Sequence, residues 1–381
     1  MLLIVRRRLG WLLRRTPADL PYYLLVFQTV VALAISPLPH RSLGAVWPHA
    51  LGLALYFVIT RWPWSLDALR WGHLALAILT GALAIVGIAG MGGLRLPGWI
   101  PAVVASLRGR LGDTFNPNVV AGYLALLVPI TFGLLIAPRP RTRGAAVGAL
   151  WGILPLMTLL AGLAVLVLSS SRAGLTAGVL GVCAVLAIRW PKVVLPILGA
   201  GAVAAAVIVR GVSLESIGEI LSAGGGSVAG LAGRVEIWQR ALYILQDFSF
   251  TGLGYGCFEP VVEVMYPLFL SASGTQPHAH NLLLQVGVDL GLPGLVAYLS
   301  LTGITFWLLM RSMAARGSGQ RTALAGMSAA LFAGLLGVQV HGILDAAVWG
   351  NKGAFIPWAV AAMAVPLYEE HRRVTEQVDD E

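Results

Sequence analysis

Charge is what this chain has least of. Only 11% of its 381 residues are Asp, Glu, Lys or Arg, against about a quarter in a soluble domain. That excludes an ordinary water-facing globule. Cysteine is nearly absent: Cys183 sits in an apolar run and Cys257 in a polar stretch, so no disulfide framework is expected. There is no nucleotide-binding glycine fingerprint and no iron–sulfur spacing. Gly224-Gly225-Gly226 lacks phosphate-loop spacing and reads as flexible linker. Met1-Leu2-Leu3-Ile4-Val5 is too short for a cleaved signal, and no small-residue cleavage site follows it.

What is present is apolar. The composition is 57% hydrophobic with a mean hydropathy of +0.81. A span needs about 20 apolar residues, so the expectation is an all-α integral membrane protein: one polytopic domain, 1–381, of about ten helices. The runs fall at 20–36, 43–60, 71–91, 119–137, 146–169, 173–188, 192–209, 291–310, 322–343 and 352–367. Residues 97–107 are too short to span and are placed along the surface. Residues 282–290 are read as a re-entrant turn, and 368–381 as a frayed cytoplasmic tail.

The net charge of +9 does not imply nucleic acid, because the basic residues lie in short connectors. Arg6, Arg7, Arg8, Arg14 and Arg15 put the N-terminus in the cytoplasm, and an even number of spans returns the C-terminus there. On this scheme 17 of the 26 Lys and Arg residues fall inside and 9 outside. The expected location is a bacterial inner membrane. The outer face then receives Asn116-Pro117-Asn118, Ser169-Ser170-Ser171-Arg172, the extracytoplasmic loop 210–280, and His341 with Asp345.

Each polar feature has a functional and a bland reading. Arg172, after three serines, suits bidentate grip of a phosphate, or an arginine snorkelling to lipid headgroups. Residues 231–247 fit a helix on which Arg234 lies beside Trp238, Ala241 and Leu245 on the apolar side. A cation there needs an anion: a lipid-linked phosphate, or Glu215 or Glu259 of the same loop. Arg240 points away, with Glu236 one turn before it as a solvated pair. His278, His280 and Asn281 precede a span. A neutral imidazole near the surface can accept a hydroxyl proton, and His280 is taken as that residue. The two-residue spacing also suits metal ligation, but no third or fourth ligand is near in sequence, so no metal is expected. His341 and Asp345 share a helix face. Asn116-Pro117-Asn118 reads as a helix cap, Asp289 as part of a helix break, and His40, His49 and His73 as interfacial.

In this order the pieces resemble the O-antigen ligase and O-antigen polymerase superfamily of bacterial membrane glycosyltransferases. The matching residues are Phe115-Asn116-Pro117-Asn118 with Ala121-Gly122-Tyr123-Leu124, and Ser171-Arg172-Ala173-Gly174. Then come Gly233-Arg234 with Ile237-Trp238, Gly252-Leu253-Gly254-Tyr255-Gly256 with Phe258, His278-Ala279-His280-Asn281, and Gly291-Leu292-Pro293-Gly294. The resemblance implies a metal- and cofactor-independent inverting enzyme. It would move a glycan from a polyprenyl-diphosphate donor to a glycan, lipid or protein acceptor at the outer membrane face. It maps the functional arginines and histidine onto Arg172, Arg234 and His280. Asn281, His278, Asn118, His341, Asp345 and Trp238 are expected to line the substrate site. The modest loop does not separate ligase from polymerase, and no oligomeric state is read from the sequence. The other class is a transporter or flippase of the same lipid-linked glycan, which would need the arginines but no base.

Overall fold

The structure is a computed structural model that describes residues 10–90, 116–138, 145–210, 231–269, 276–314 and 319–379. Its described residues are helical, with no strand among them. The helices are α1 (Asp19–Ala34), α2 (Pro39–Arg61), α3 (Leu66–Gly90), α4 (Pro117–Ile136), α5 (Ile153–Leu168), α6 (Arg172–Arg189) and α7 (Pro191–Arg210). They continue with α8 (Leu231–Asp247), α9 (Phe258–Met265), α10 (Leu282–Met313), α11 (Gln320–Gly342), α12 (Phe355–Ala362) and α13 (Ala364–Asp379).

Seven helical stretches among the described residues are long and apolar enough to cross a membrane. They match seven of the ten expected spans. Of the other three, α7 (Pro191–Arg210) covers the run at 192–209 with 20 residues, whereas α1 has only 16. The run at 352–367 is divided between α12 and α13, with Met363 between them. The charged end is not a frayed tail as far as Asp379: α13 packs on α10 and α11, and Glu370 and Val374 are buried. The expected surface segment 97–107 lies outside the described residues.

α4 is the central helix. Every residue from Val119 to Thr131 is buried, the mark of a helix enclosed by others. α3, α5, α6 and α11 pack around it. The contact with α11 is close because Gly334 and Gly337 let that helix approach the carbonyls of Leu126 and Ala125, the small-residue packing on which membrane helices rely. α10 packs on α1, α11 and α13, and α12 on α2.

Residues 282–290 are not a re-entrant turn. They form the buried first segment of α10, which is interrupted at Gly291, where φ is +70°. The interruption has an identifiable cause. Pro293 has no N–H for the Asp289 carbonyl, and the Leu292 N–H turns away to Ser249 O at 2.6 Å. The freed carbonyls are taken by loop amides: Leu253 N–H donates to Val288 O at 2.7 Å and Gly254 N–H to Asp289 O at 3.0 Å. A side chain at Gly291 would collide with the Ser249 carbonyl. The Gly252–Gly256 stretch and the Gly291–Gly294 break are therefore two halves of one joint.

Candidate functional site

Three close approaches bring four helix ends together. A Cβ at Gly174, in the first turn of α6, would lie 2.5 Å from Ala121 Cβ on α4. The next residue of α4, Gly122, faces His341 near the end of α11, with its Cβ position 3.1 Å from His341 Cε1. Gly342 abuts Leu282, the first residue of α10. Residues from both sides of the long loop thus meet the starts of α4 and α6 at one end of the bundle.

The short stretch before α10 carries the histidines. Asn281 is the N-cap of α10, its Oδ1 accepting from Leu284 N–H at 3.0 Å. Its Nδ2 donates to Ile343 O at 3.0 Å, which ties the loop to the segment after α11. His280 has φ +48°, a left-handed conformation that is uncommon and costly outside glycine. The backbone N–H of His280 donates to His278 Nδ1 at 3.2 Å, and the two rings meet edge-on with centroids 4.3 Å apart. Trp238 Nε1 donates to His280 O at 3.4 Å, which anchors α8 to the same turn.

Asp345 completes the group. Its Oδ1 lies 3.7 Å from His278 Nε2 and 4.0 Å from His280 Nδ1, and its side chain is only 5% exposed. Among the described residues, Asp345 Oδ1, His280 Nδ1, both ring nitrogens of His341 and Arg234 Nε are buried without a hydrogen-bond partner. Buried polar atoms are almost always satisfied. Here several unsatisfied ones fall on one group of residues. Burial pushes the His280 pKa down to about 4, helped by the charges of His278 and Arg234 and opposed by Asp345. His280 is therefore a neutral imidazole at ordinary pH. Its Nε2 sits 3.2 Å from Gln276 Oε1.

The absence of a third metal ligand, read from sequence spacing, does not survive in space. Donor atoms of His278, His280 and Asp345 all lie within 4.8 Å of one another. The tautomer works against an ion, however. His278 Nδ1 accepts a backbone N–H, so in the neutral ring the proton sits on Nε2, the atom facing Asp345. Metal binding there needs that hydrogen bond broken.

Arg234 is half-buried on the inner side of α8, beside Trp238 and the buried Ile237 and Ala241, as the helix spacing predicts. Glu259 is occupied elsewhere, by Arg41; Glu215 lies outside the described residues. The Arg240–Glu236 pair is not solvated as expected. Glu236 is 6% exposed and accepts both Arg240 at 3.4 Å and the Phe269 N–H at 2.6 Å, fastening α8 to the stretch of chain after α9. Arg172 is exposed at the start of α6, and no hydrogen bond or ion pair joins it to the cluster among the described residues. Asn118 is likewise exposed, in the first turn of α4; the cap of that helix is Asn116. His49 and His73 are not interfacial: both are buried in the bundle, whereas His40 is exposed. Gln276, Gln285 and Trp349 were missed in sequence. Only Gln285 left a signal there, standing one helical turn before Asp289.

Residues 156–299 match a family model described as O-antigen ligase. That bears out the resemblance read from the motifs, and with the apolar helices it supports glycan transfer of the O-antigen ligase and polymerase type in a bacterial membrane protein. The O-antigen ligase segment runs from α5 into α10 and contains Arg172, Arg234, His278 and His280; His341 and Asp345 lie beyond it. No curated protein matches the chain.

Proposed function

We propose that the chain transfers a glycan from a polyprenyl-diphosphate donor to an acceptor hydroxyl at the extracytoplasmic face of the bacterial inner membrane. The observation that carries this reading is the set of unsatisfied polar atoms on His280, Asp345, His341 and Arg234 at one end of the helix bundle, within a chain that matches the O-antigen ligase model.

The acceptor hydroxyl attacks the anomeric carbon from the face opposite the diphosphate, inverting it. Charge grows on the leaving diphosphate. Arg234, with an unused buried N–H, stabilises it, a contribution commonly worth about 3 kcal/mol per donor. Arg172, at the exposed start of α6, holds the diphosphate from the rim. His280 takes the hydroxyl proton. Asp345 beside Nδ1 favours the tautomer that carries its proton there, leaving the Nε2 lone pair for the acceptor, and it steadies the imidazolium that forms. In the resting ring Nε2–H faces the Gln276 carbonyl oxygen; an acceptor hydroxyl that takes this position needs the proton moved to Nδ1, the tautomer Asp345 favours. Diphosphate bound at Arg234 offsets a cation that holds the His280 pKa down, so donor binding makes the base stronger. Asn281, His278, Asn118, His341 and Trp238 shape the surrounding site. The diphosphate is a good leaving group, so no separate general acid is needed.

In proteoliposomes supplied with lipid-linked glycan and acceptor, His280→Ala and Arg234→Ala should each nearly abolish transfer while the protein still folds. Full activity in either variant would end the assignment. Transfer should survive EDTA.

A further inference from the structure

The buried carboxyl of Asp289 has no part in the chemistry above, yet its hydrogen bonds lead directly to the histidine loop. Asp289 is 2% exposed and Gln285 is 3% exposed. They are four residues apart, on one face of α10. Trp349 Nε1–H donates to Asp289 Oδ2 at 2.8 Å. Gln285 Nε2–H donates to Asp289 Oδ1 at 2.9 Å. The Gln285 Oε1 then accepts the N–H of Ala279 at 2.7 Å. Ala279, fully buried, stands between His278 and His280.

The polarity of this chain of bonds is fixed at both ends. The Ala279 N–H and the Trp349 indole N–H can only donate. Gln285 must therefore turn its oxygen to the loop and its amide nitrogen to residue 289, and residue 289 must accept twice. A carboxylate does so; an amide cannot. Trp349 is held in turn by an aromatic nest, stacking on Tyr255 with centroids 6.1 Å apart and lying 4.1 Å from the His49 ring. It follows Asp345 by four residues, in the same segment after α11. One ladder thus connects the two sides of the cluster.

We infer that Asp289 and Gln285 are positioning residues, whose bonds of fixed direction, Trp349 to Asp289 to Gln285 to Ala279, set the strained turn that aims His280 at Asp345. The inference rests on His280 being the base, and it predicts a specific rescue. In D289N four donors, counting the new amide, meet only two acceptor oxygens. Gln285 either flips, presenting NH₂ to the Ala279 N–H, or faces the new amide donor to donor. In D289N/Q285E the carboxylate and amide have exchanged places. The amide now at position 289 accepts from Trp349 and donates to the carboxylate now at position 285, whose other oxygen accepts the Ala279 N–H. Every donor is matched again with the net charge of the pair unchanged.

The test uses full-length protein in proteoliposomes with radiolabelled polyprenyl-diphosphate glycan purified from the producing cells, with kcat, donor KM and thermal midpoint measured. D289N should lower kcat about tenfold with donor KM unchanged, and D289N/Q285E should recover most of it. W349F, which removes a donor without forcing the amide to flip, should cost less than D289N. A wild-type kcat in D289N overturns the inference, as does a folded double variant no faster than D289N. If D289N does not fold, the double variant decides alone: folded and active supports the ladder; unfolded, or folded and inactive, overturns it. Loss of transfer in His280→Ala alongside an indifferent D289N would sink the ladder and leave the transferase reading standing.

Discussion

Asp289 and Asp345 are equally buried, at 2% and 4% exposure, and opposite in state. Asp289 has a donor on each oxygen. Asp345 has an oxygen with no hydrogen bond, facing two imidazoles at 3.7 and 4.0 Å. Burying a carboxyl without partners is unfavourable, so the first arrangement stabilises its surroundings and the second costs stability. The same contrast divides the ends of the bundle. A cavity of about 330 Å³ lies where α4, α6 and α10 end and α11 begins, lined by residues such as Ile136, Arg189, Met313 and Thr322. Among the described residues it holds no comparable set of titratable groups.

Four measurements would break or sharpen this contrast. The largest effect is expected from Asp345→Asn, which keeps the shape and removes the charge: transfer should fall about a hundredfold, within the range of acid–base assistance, with the thermal midpoint almost unchanged. If the midpoint drops as far as the rate, Asp345 is scaffold after all. Next is Asp289→Leu, which strands the Trp349 and Gln285 donors. At about 1–3 kcal/mol for each stranded group, it should lower the midpoint clearly in a thermal melt, and an unaltered melt would contradict the ladder. Third is pH. The folded-state pKa of His280 lies below its ordinary value, at about 4. Its contribution to stability is therefore complete above about 6.5 and is lost as pH falls toward 4, because the unfolded chain takes up a proton that the folded one resists. Transfer should be flat from neutrality to about pH 6 and decline on further acidification. In Asp345→Asn the raising influence is gone, so the acid limb should move to lower pH; a shift upward would be inconsistent with the assigned geometry. The smallest effect is Arg172→Ala, expected to raise donor KM several-fold and to matter less than Arg234→Ala, since Arg172 is exposed. Equal losses would put Arg172 inside the site.

Much of this was legible in order and little in distance. Arg234 fell on the inner face of its helix as the 100° spacing requires, and Asn116 caps the helix it precedes; the cap at Asn281 was not foreseen. The Arg240–Glu236 pair was misread because helical spacing says which residues adjoin but not what covers them; here it is the chain around Phe269. The turn expected at 282–290 is a helix because Gly291 and Pro293 break α10 after that segment, not before it. Two spans, at 20–36 and 352–367, lacked the expected form because an apolar run bounds a helix without setting where it kinks or stops.

By itself, the sequence determined an apolar helical chain, the faces of its amphipathic helices, the cap at Asn116 and the break at Gly291-Leu292-Pro293-Gly294, since these depend on near neighbours and on backbone chemistry. Only the tertiary structure decided that Asp345 meets His278 and His280, that Arg234 stands near them while Arg172 stays exposed, and that the buried Asp289 is satisfied where Asp345 is not. Hydrogen bonds and unpaired charges are set by groups far apart along the chain, and local periodicity carries no record of which distant donor will arrive.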